Sequence, residues 1–326
     1  MIVPVVVFIL ILLLTSIFEK TYTFSGEVKY GVTFTPKYAT YLKLDWQKTY
    51  LQILDELKVK NLRLPSYWDR LQPEMDQDDF SETDFMLNEA VKREARVMLV
   101  VGQRQPRWPE CHIPKWARSL TSEQRQTKTL EFVQKVVDRY KDNKSVWAYQ
   151  VENEPFVNWF GECEITDKDF LQKEVQLVKN LDKKKPVIIT DSGEWGSWID
   201  AISAGDILGI SVYRTAYNPN LGIYTNYPFT PTMYNLKASI VKKLTQDKRV
   251  IISELQAEPW LSGNDSSPES PLKQNQLFSL ENFKDNINFT QKTGFDESYL
   301  WGVEWWYFME ANGHPEYLQF AKTLFK

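Results

Sequence analysis

Strand-like apolar runs alternate strictly with helix-like amphipathic stretches, eight times in succession, and this restricts the chain to a parallel sheet with helices outside it. The strand-like runs are Tyr30–Phe34, Lys60–Leu64, Arg96–Val101, Val146–Val151, Pro186–Thr190, Ile207–Val212, Arg249–Ser253 and Ser298–Val303. The helical patterns between and after them are Trp46–Leu57, Asp84–Glu94, Ser122–Tyr140, Lys168–Leu181, Trp198–Ala204, Thr232–Leu244, Ser279–Thr293 and Glu316–Phe325. In the first helix, Leu51, Leu54 and Leu57 recur along one face, and Ser122 is placed to cap the third. From the first strand to the last the spacing is roughly 38 residues per unit, which predicts a single closed (β/α)8 barrel over residues 21–326, with a doubly wound open sheet as the alternative. Residues 218–231 and 262–271 are rich in Pro, Asn and Ser and read as long loops following strands.

Ahead of the barrel, Ile2–Phe18 is almost wholly apolar, so residues 1–20 read as an N-terminal membrane anchor or an export signal. Either reading places the barrel outside the cytoplasm, anchored or secreted. The chain has two cysteines, Cys111 and Cys163, in loops after neighbouring predicted strands. They lie on the same barrel face and are expected to bridge in an oxidising compartment, with two free thiols as the alternative. Asn143, Asn264 and Asn288 begin N-x-[ST] sequons, which matter only in a host that glycosylates.

Several functions are disfavoured. A net charge of −4 argues against nucleic acid as a partner. The only histidines, His112 and His314, are far apart, so no histidine-based metal site is expected, and no glycine-rich phosphate loop occurs. No cofactor is implied. Twelve Trp, sixteen Tyr and eighteen Phe are an unusual share that a large core accounts for in most part, but several tryptophans fall near strand ends, where their indoles can stack on the C–H faces of sugar rings.

In a barrel of this kind the chemistry sits at the C-terminal ends of the strands. The fourth strand runs into Glu152-Asn153-Glu154-Pro155, and the seventh into Ser253-Glu254-Leu255. Glu154 and Glu254 face each other across the barrel mouth. Glycoside cleavage needs such a pair, one carboxyl protonated and one ionised, and so two different environments. Asn153-Glu154-Pro155 followed by a Glu three strands later resembles the signature of the clan A glycoside hydrolases, family 5 and the cellulase-like superfamily in particular.

That resemblance implies a retaining glycosidase with Glu154 as acid/base and Glu254 as nucleophile, acting on a β-linked oligo- or polysaccharide. It implies that Asn153 holds a sugar hydroxyl, that Arg63 in Leu62-Arg63-Leu64-Pro65 keeps the nucleophile ionised, and that Tyr213 donates to it. It also places a tryptophan after the eighth strand as a sugar platform, expected at Trp305 with Trp306 in reserve. Gln103, Arg104 and Trp108 are candidate sugar contacts, and Glu258 and Glu304 are further polar candidates, while Glu152 alternates away from the side of Asn153. The third strand end lacks the histidine usual in family 5 cellulases, and the sixth lacks a His-x-Tyr pattern, so the sugar stays open. A membrane-anchored barrel that binds carbohydrate without cleaving it, or an envelope-glycan transglycosylase, would use the same residues.

Overall fold

The computed structural model describes Leu10 and residues 27–163, 166–218, 221–261 and 268–325. The apolar segment Ile2–Phe18 lies outside the described residues apart from Leu10, as does most of the predicted loop 262–271. Among the described residues no helix is long and apolar enough to cross a membrane.

Eight parallel strands close into a barrel. They are β1 (Lys29–Thr33), β2 (Asn61–Pro65), β3 (Arg96–Val101), β4 (Val146–Val151), β5 (Val187–Ser192), β6 (Ile207–Val212), β9 (Arg249–Gln256) and β10 (Glu297–Trp301). Neighbours follow chain order, β1 through β6, then β9 and β10, which pairs back onto β1 from Lys29–Glu297 to Thr33–Trp301. The remaining two strands, β7 (Thr215–Asn218) and β8 (Ile223–Asn226), form an antiparallel hairpin beyond β6, where the sequence reads as a loop. These strands are four residues each and too short for a clear alternation of apolar and polar side chains.

Alternation along the strands separates two apolar clusters. One face of each strand packs against the helices, with Val97, Leu99 and Val101 of β3 as examples. The other face points into the barrel, where Met98, Ala148, Ile188, Ile207, Ile251 and Tyr299 form an interior plug. The helices bury one stripe each. The longest, Ser122–Tyr140, buries Phe132, Val133, Val136, Val137 and Tyr140. It starts with a capping box in which the Thr121 side chain accepts from Gln124 N–H and Gln124 reaches back to Thr121 N–H, so the cap is Thr121 and not Ser122.

The last strand ends earlier than the sequence pattern suggests. Tyr299 points inward, Leu300 outward and Trp301 inward, and continued alternation would bring Trp305 to the cleft as well. Gly302 breaks the strand with a φ of 133°, and a helix, Val303–Ala311, starts at once. Trp305 and Trp306 therefore sit wholly buried in the core. The Trp305 indole donates to Gln274 Oε1 at 2.7 Å, and that of Trp306 to the Ala257 carbonyl at 2.9 Å. Neither is a sugar platform. Trp301 is the tryptophan that β10 delivers to the barrel mouth.

Gly302 cannot carry a side chain without displacement. A Cβ there would lie 2.7 Å from Glu258 Cβ and 2.9 Å from the Ala257 carbonyl group. Gly302→Ala is expected to lower unfolding stability in urea by about 1–3 kcal/mol. An unchanged midpoint would show that the strand-to-helix break does not depend on this glycine.

Candidate active site

The site is built upward from the apolar plug. The next inward-facing layer is polar and centres on Arg63, which is fully buried on β2. Its Nε donates to Gln150 Oε1 at 2.7 Å, its Nη2 to Asn153 Oδ1 at 2.7 Å, and its Nη1 to Glu254 Oε1 at 2.6 Å. One guanidinium thereby ties together β2, β4, the turn after β4 and β9, with a planar fork that fixes the angle of each partner.

Glu254 reaches this layer through an irregularity. Along β9, Ile251 points inward and Ile252 outward, so regular alternation would turn Glu254 outward. The pairing instead slips. On the β6 side Ile210 meets Ile252 and Ser211 meets Glu254, and on the β10 side Ser298 meets Ile252 and Leu300 meets Leu255. The extra residue returns Glu254 to the interior while Leu255 faces the core. The second oxygen of its carboxylate accepts the Tyr213 hydroxyl at 2.9 Å.

Glu154 comes from the turn after β4. Its backbone takes a left-handed φ of 45°, and its N–H donates to Thr190 Oγ1 at 2.8 Å. The carboxyl accepts from the Ser211 hydroxyl at 2.6 Å, a neutral donor. Burial pushes its pKa well above the usual carboxylate range, and the negative charges of Glu254, Glu110 and Asp191 push the same way, against the Ser211 hydrogen bond. Glu154 and Glu254 line one cavity of about 450 Å³, together with Asn153 and Tyr213.

Asn153 uses both ends of its amide, since Nδ2 donates to Glu110 Oε2 at 2.7 Å. Glu110, in the loop after β3, is a site residue that the sequence reading did not name. Nothing in its sequence neighbourhood distinguishes it. Burial raises its pKa to about 8, opposed by Arg104 and helped by Glu254. Arg107 was likewise missed. It lines the cavity and pairs with Glu258, another cavity residue, and with Glu304 at 3.4 Å. Glu304 itself is buried beneath the site, where Oε1 accepts from Thr35 N–H at 2.6 Å, at the N-cap of the helix Pro36–Tyr41.

Two expected sugar contacts are not in the cavity. Arg104 is fully buried, and its guanidinium donates to the Val157 carbonyl at 2.7 Å and the Phe160 carbonyl at 2.9 Å, so it holds the β4 loop from below. The Gln103 side chain faces a separate polar cavity of about 300 Å³. The cause is Glu152, which accepts the N–H groups of Gln103 and Arg104 at 2.9 and 2.7 Å and so fixes the loop with these side chains turned aside. Trp108 does line the main cavity, with Trp159, Trp195 and Trp260. Cys111 and Cys163 form a disulfide joining the β3 and β4 loops. Among the described residues no group of three or more His, Cys, Asp and Glu could hold a metal ion.

Glu110 gives a stability test. Between its ordinary value of 4.5 and about 8 the folded protein holds a proton that the unfolded chain has released. Its contribution is full below pH 4.5 and is lost as pH rises through about 8. Urea unfolding at several pH values should therefore show the protein losing stability across that window relative to Glu110→Gln. Parallel curves would mean that Glu110 titrates normally.

Residues 28–235, more than half of the chain, match the cellulase family model, glycosyl hydrolase family 5. No curated protein matches the sequence. Among solved structures, the β-galactosidase of the Antarctic haloarchaeon Halorubrum lacusprofundi superposes with a TM-score of 0.57 at 13% identity, covering 84% of this chain and 52% of that one. The chain thus spans about half the length of that enzyme. GH5_18 from Streptomyces cattleya, in complex with GlcNAc, gives 0.58 at 12% identity, covering 85% and 70%. Xylanase 10B from Thermotoga petrophila gives 0.56 at 15%, covering 85% and 82%. At these identities the likeness is one of fold, and the family match carries the assignment. With its closed eightfold barrel, its glutamates at the C-terminal ends of β4 and β9, and the family match, the chain belongs to glycosyl hydrolase family 5, the cellulase family.

Proposed function

We propose that the chain is a retaining glycoside hydrolase that cleaves β-linked oligo- or polysaccharide through a covalent glycosyl-enzyme. The observation that carries this reading is the unlike setting of two carboxyls in one cavity. Glu254 is ion-paired to Arg63 at 2.6 Å and accepts a tyrosine hydroxyl, whereas Glu154 is buried with a neutral serine donor. The first carboxyl is held in an ion pair, while burial raises the pKa of the second.

In the first step Glu254 attacks the anomeric carbon, and the Glu154 proton passes to the leaving oxygen as the glycosidic bond breaks. The aglycone departs with that proton. Glu154, now a carboxylate, takes a proton from water, whose oxygen displaces Glu254 and restores both residues. Arg63 and Tyr213 hold the Glu254 oxygens in place during attack and departure. Asn153 lines the cavity beside them, with an amide able to meet a sugar hydroxyl. Support for a β-linked substrate comes from the family and from GH5_18 of Bifidobacterium longum, a fold neighbour at 13% identity whose structure was solved with Manβ1-4GlcNAc. An exported or membrane-anchored setting is supported by the apolar N-terminal sequence and fits the Cys111–Cys163 bridge.

The test is covalent trapping. A panel of fluorogenic 2-deoxy-2-fluoro glycosides, read by intact and peptide mass spectrometry, should leave a sugar on Glu254 and none in Glu254→Gln. A panel that leaves no adduct and sees no hydrolysis would favour a barrel that only binds sugar.

The pH profile gives a second test. Because burial holds the Glu154 proton well above the usual carboxylate range, the high-pH fall in activity should come above that range, as that proton is lost. Glu154→Gln should lower kcat by ~10²–10⁴ and abolish the alkaline limb. An alkaline limb that survives this substitution would assign it to another group.

A further inference from the structure

The cavity is walled unevenly. Beyond Glu254 the barrel continues into β10 and β1, which bring Trp301 and, just past β1, Tyr38 to the mouth. Arg107 extends from the β3 loop into the space between these two rings. Its guanidinium carbon lies 3.6 Å from the Tyr38 ring centre and 4.1 Å from that of Trp301. The same guanidinium is ion-paired with Glu258 and Glu304. A cation held by two ring faces and two buried carboxylates is a fixed wall.

A second barrier crosses the mouth. Phe160 of the β4 loop meets Trp260 of the β9 loop with ring centres 5.1 Å apart, and Trp260 meets Tyr213 at 5.0 Å. On the β5 side, Trp195 lines the cavity and is 54% exposed; Trp108 and Trp159 are likewise exposed at the outer rim, and none of these is packed into the wall that Arg107 forms.

Reaction geometry decides which part of a substrate meets which wall. The anomeric carbon must reach Glu254, so the glycone lies on the side of Arg107. The leaving oxygen must reach Glu154, so the aglycone extends toward β5 and Trp195. We propose that the enzyme is exo-acting, taking the non-reducing terminal sugar of a β-linked oligosaccharide, with Arg107 blocking any continuation of the chain past the glycone. This rests on the glycosidase reading above.

The test uses hexasaccharides of β-1,4-glucan, β-1,4-mannan and β-1,3-glucan labelled at the reducing end, alongside 4-methylumbelliferyl β-monosides. The expected result is cleavage of a monoside and labelled products that shorten one sugar at a time from the first time point. Arg107→Ala should raise the share of internal cuts by ~10-fold or more. Phe160→Ala, which leaves the Arg107 ion pairs untouched, should shift products the same way if Arg107→Ala fails to fold. Internal fragments from the outset, with every monoside inert, would overturn exo action and leave the glycosidase reading standing. No cleavage of any substrate, together with no trapped adduct, would remove the glycosidase reading and this inference with it.

Discussion

The buried guanidinium of Arg63 is the constraint on which the site depends. It has no solvent to fall back on, so each nitrogen needs a partner, and the barrel supplies Gln150, Asn153 and Glu254 from three directions. The pairing works in both senses. A carboxylate satisfies the buried cation, and the cation makes a charged Glu254 tolerable in a low-dielectric interior. Glu154 has no such partner and shares the cavity with a fixed negative charge. The unlike settings of the two carboxyls thus follow in part from where one arginine was placed on β2.

A shell of buried polar groups keeps this arrangement from relaxing. Gln150 accepts from Arg63 and donates to the Glu152 carbonyl at 2.9 Å, while Glu152 accepts two successive N–H groups of the β3 loop. Arg104 then ties that loop to the β4 loop through two carbonyls. None of these groups need touch a sugar. Their effect is to fix the backbone that aims Asn153 and Glu154, in a region where Glu152 and Glu154 both adopt left-handed φ values.

The barrel was legible because its signal is repeated: eight strands and their helices each announce themselves by apolar period, and chain order sets their neighbours. Asn153, Glu154, Tyr213 and Glu254 could be located because each lies near or just past the C-terminal end of its strand, and Arg63, in the middle of β2, by its resemblance to a family pattern; the cavity brings the first four together over Arg63. What failed were inferences about which way a side chain points once regular alternation stops. Gly302 ended β10 before the alternation reached Trp305, and Glu152 turned Gln103 and Arg104 aside. Glu254 was found by motif, although alternation alone would have pointed it outward. Arg107 and Glu110 lie in an aperiodic loop, and their importance arises only where that loop meets β1, β4, β9 and β10 in space.

The disulfide has a mechanical consequence for the rim. It fastens the β3 loop, bearing Arg107 and Trp108, to the β4 loop, bearing Phe160, and Trp108 also packs on Phe160 at 5.7 Å. These loops form one covalently closed unit. Trp260 of the β9 loop packs on Phe160 with ring centres 5.1 Å apart, and the Arg107–Glu258 ion pair ties the same β9 loop to the β3 side. The rim is therefore closed across three loops by one covalent bond, one ion pair and one ring contact, so a change in any one of these loops is transmitted to the other two.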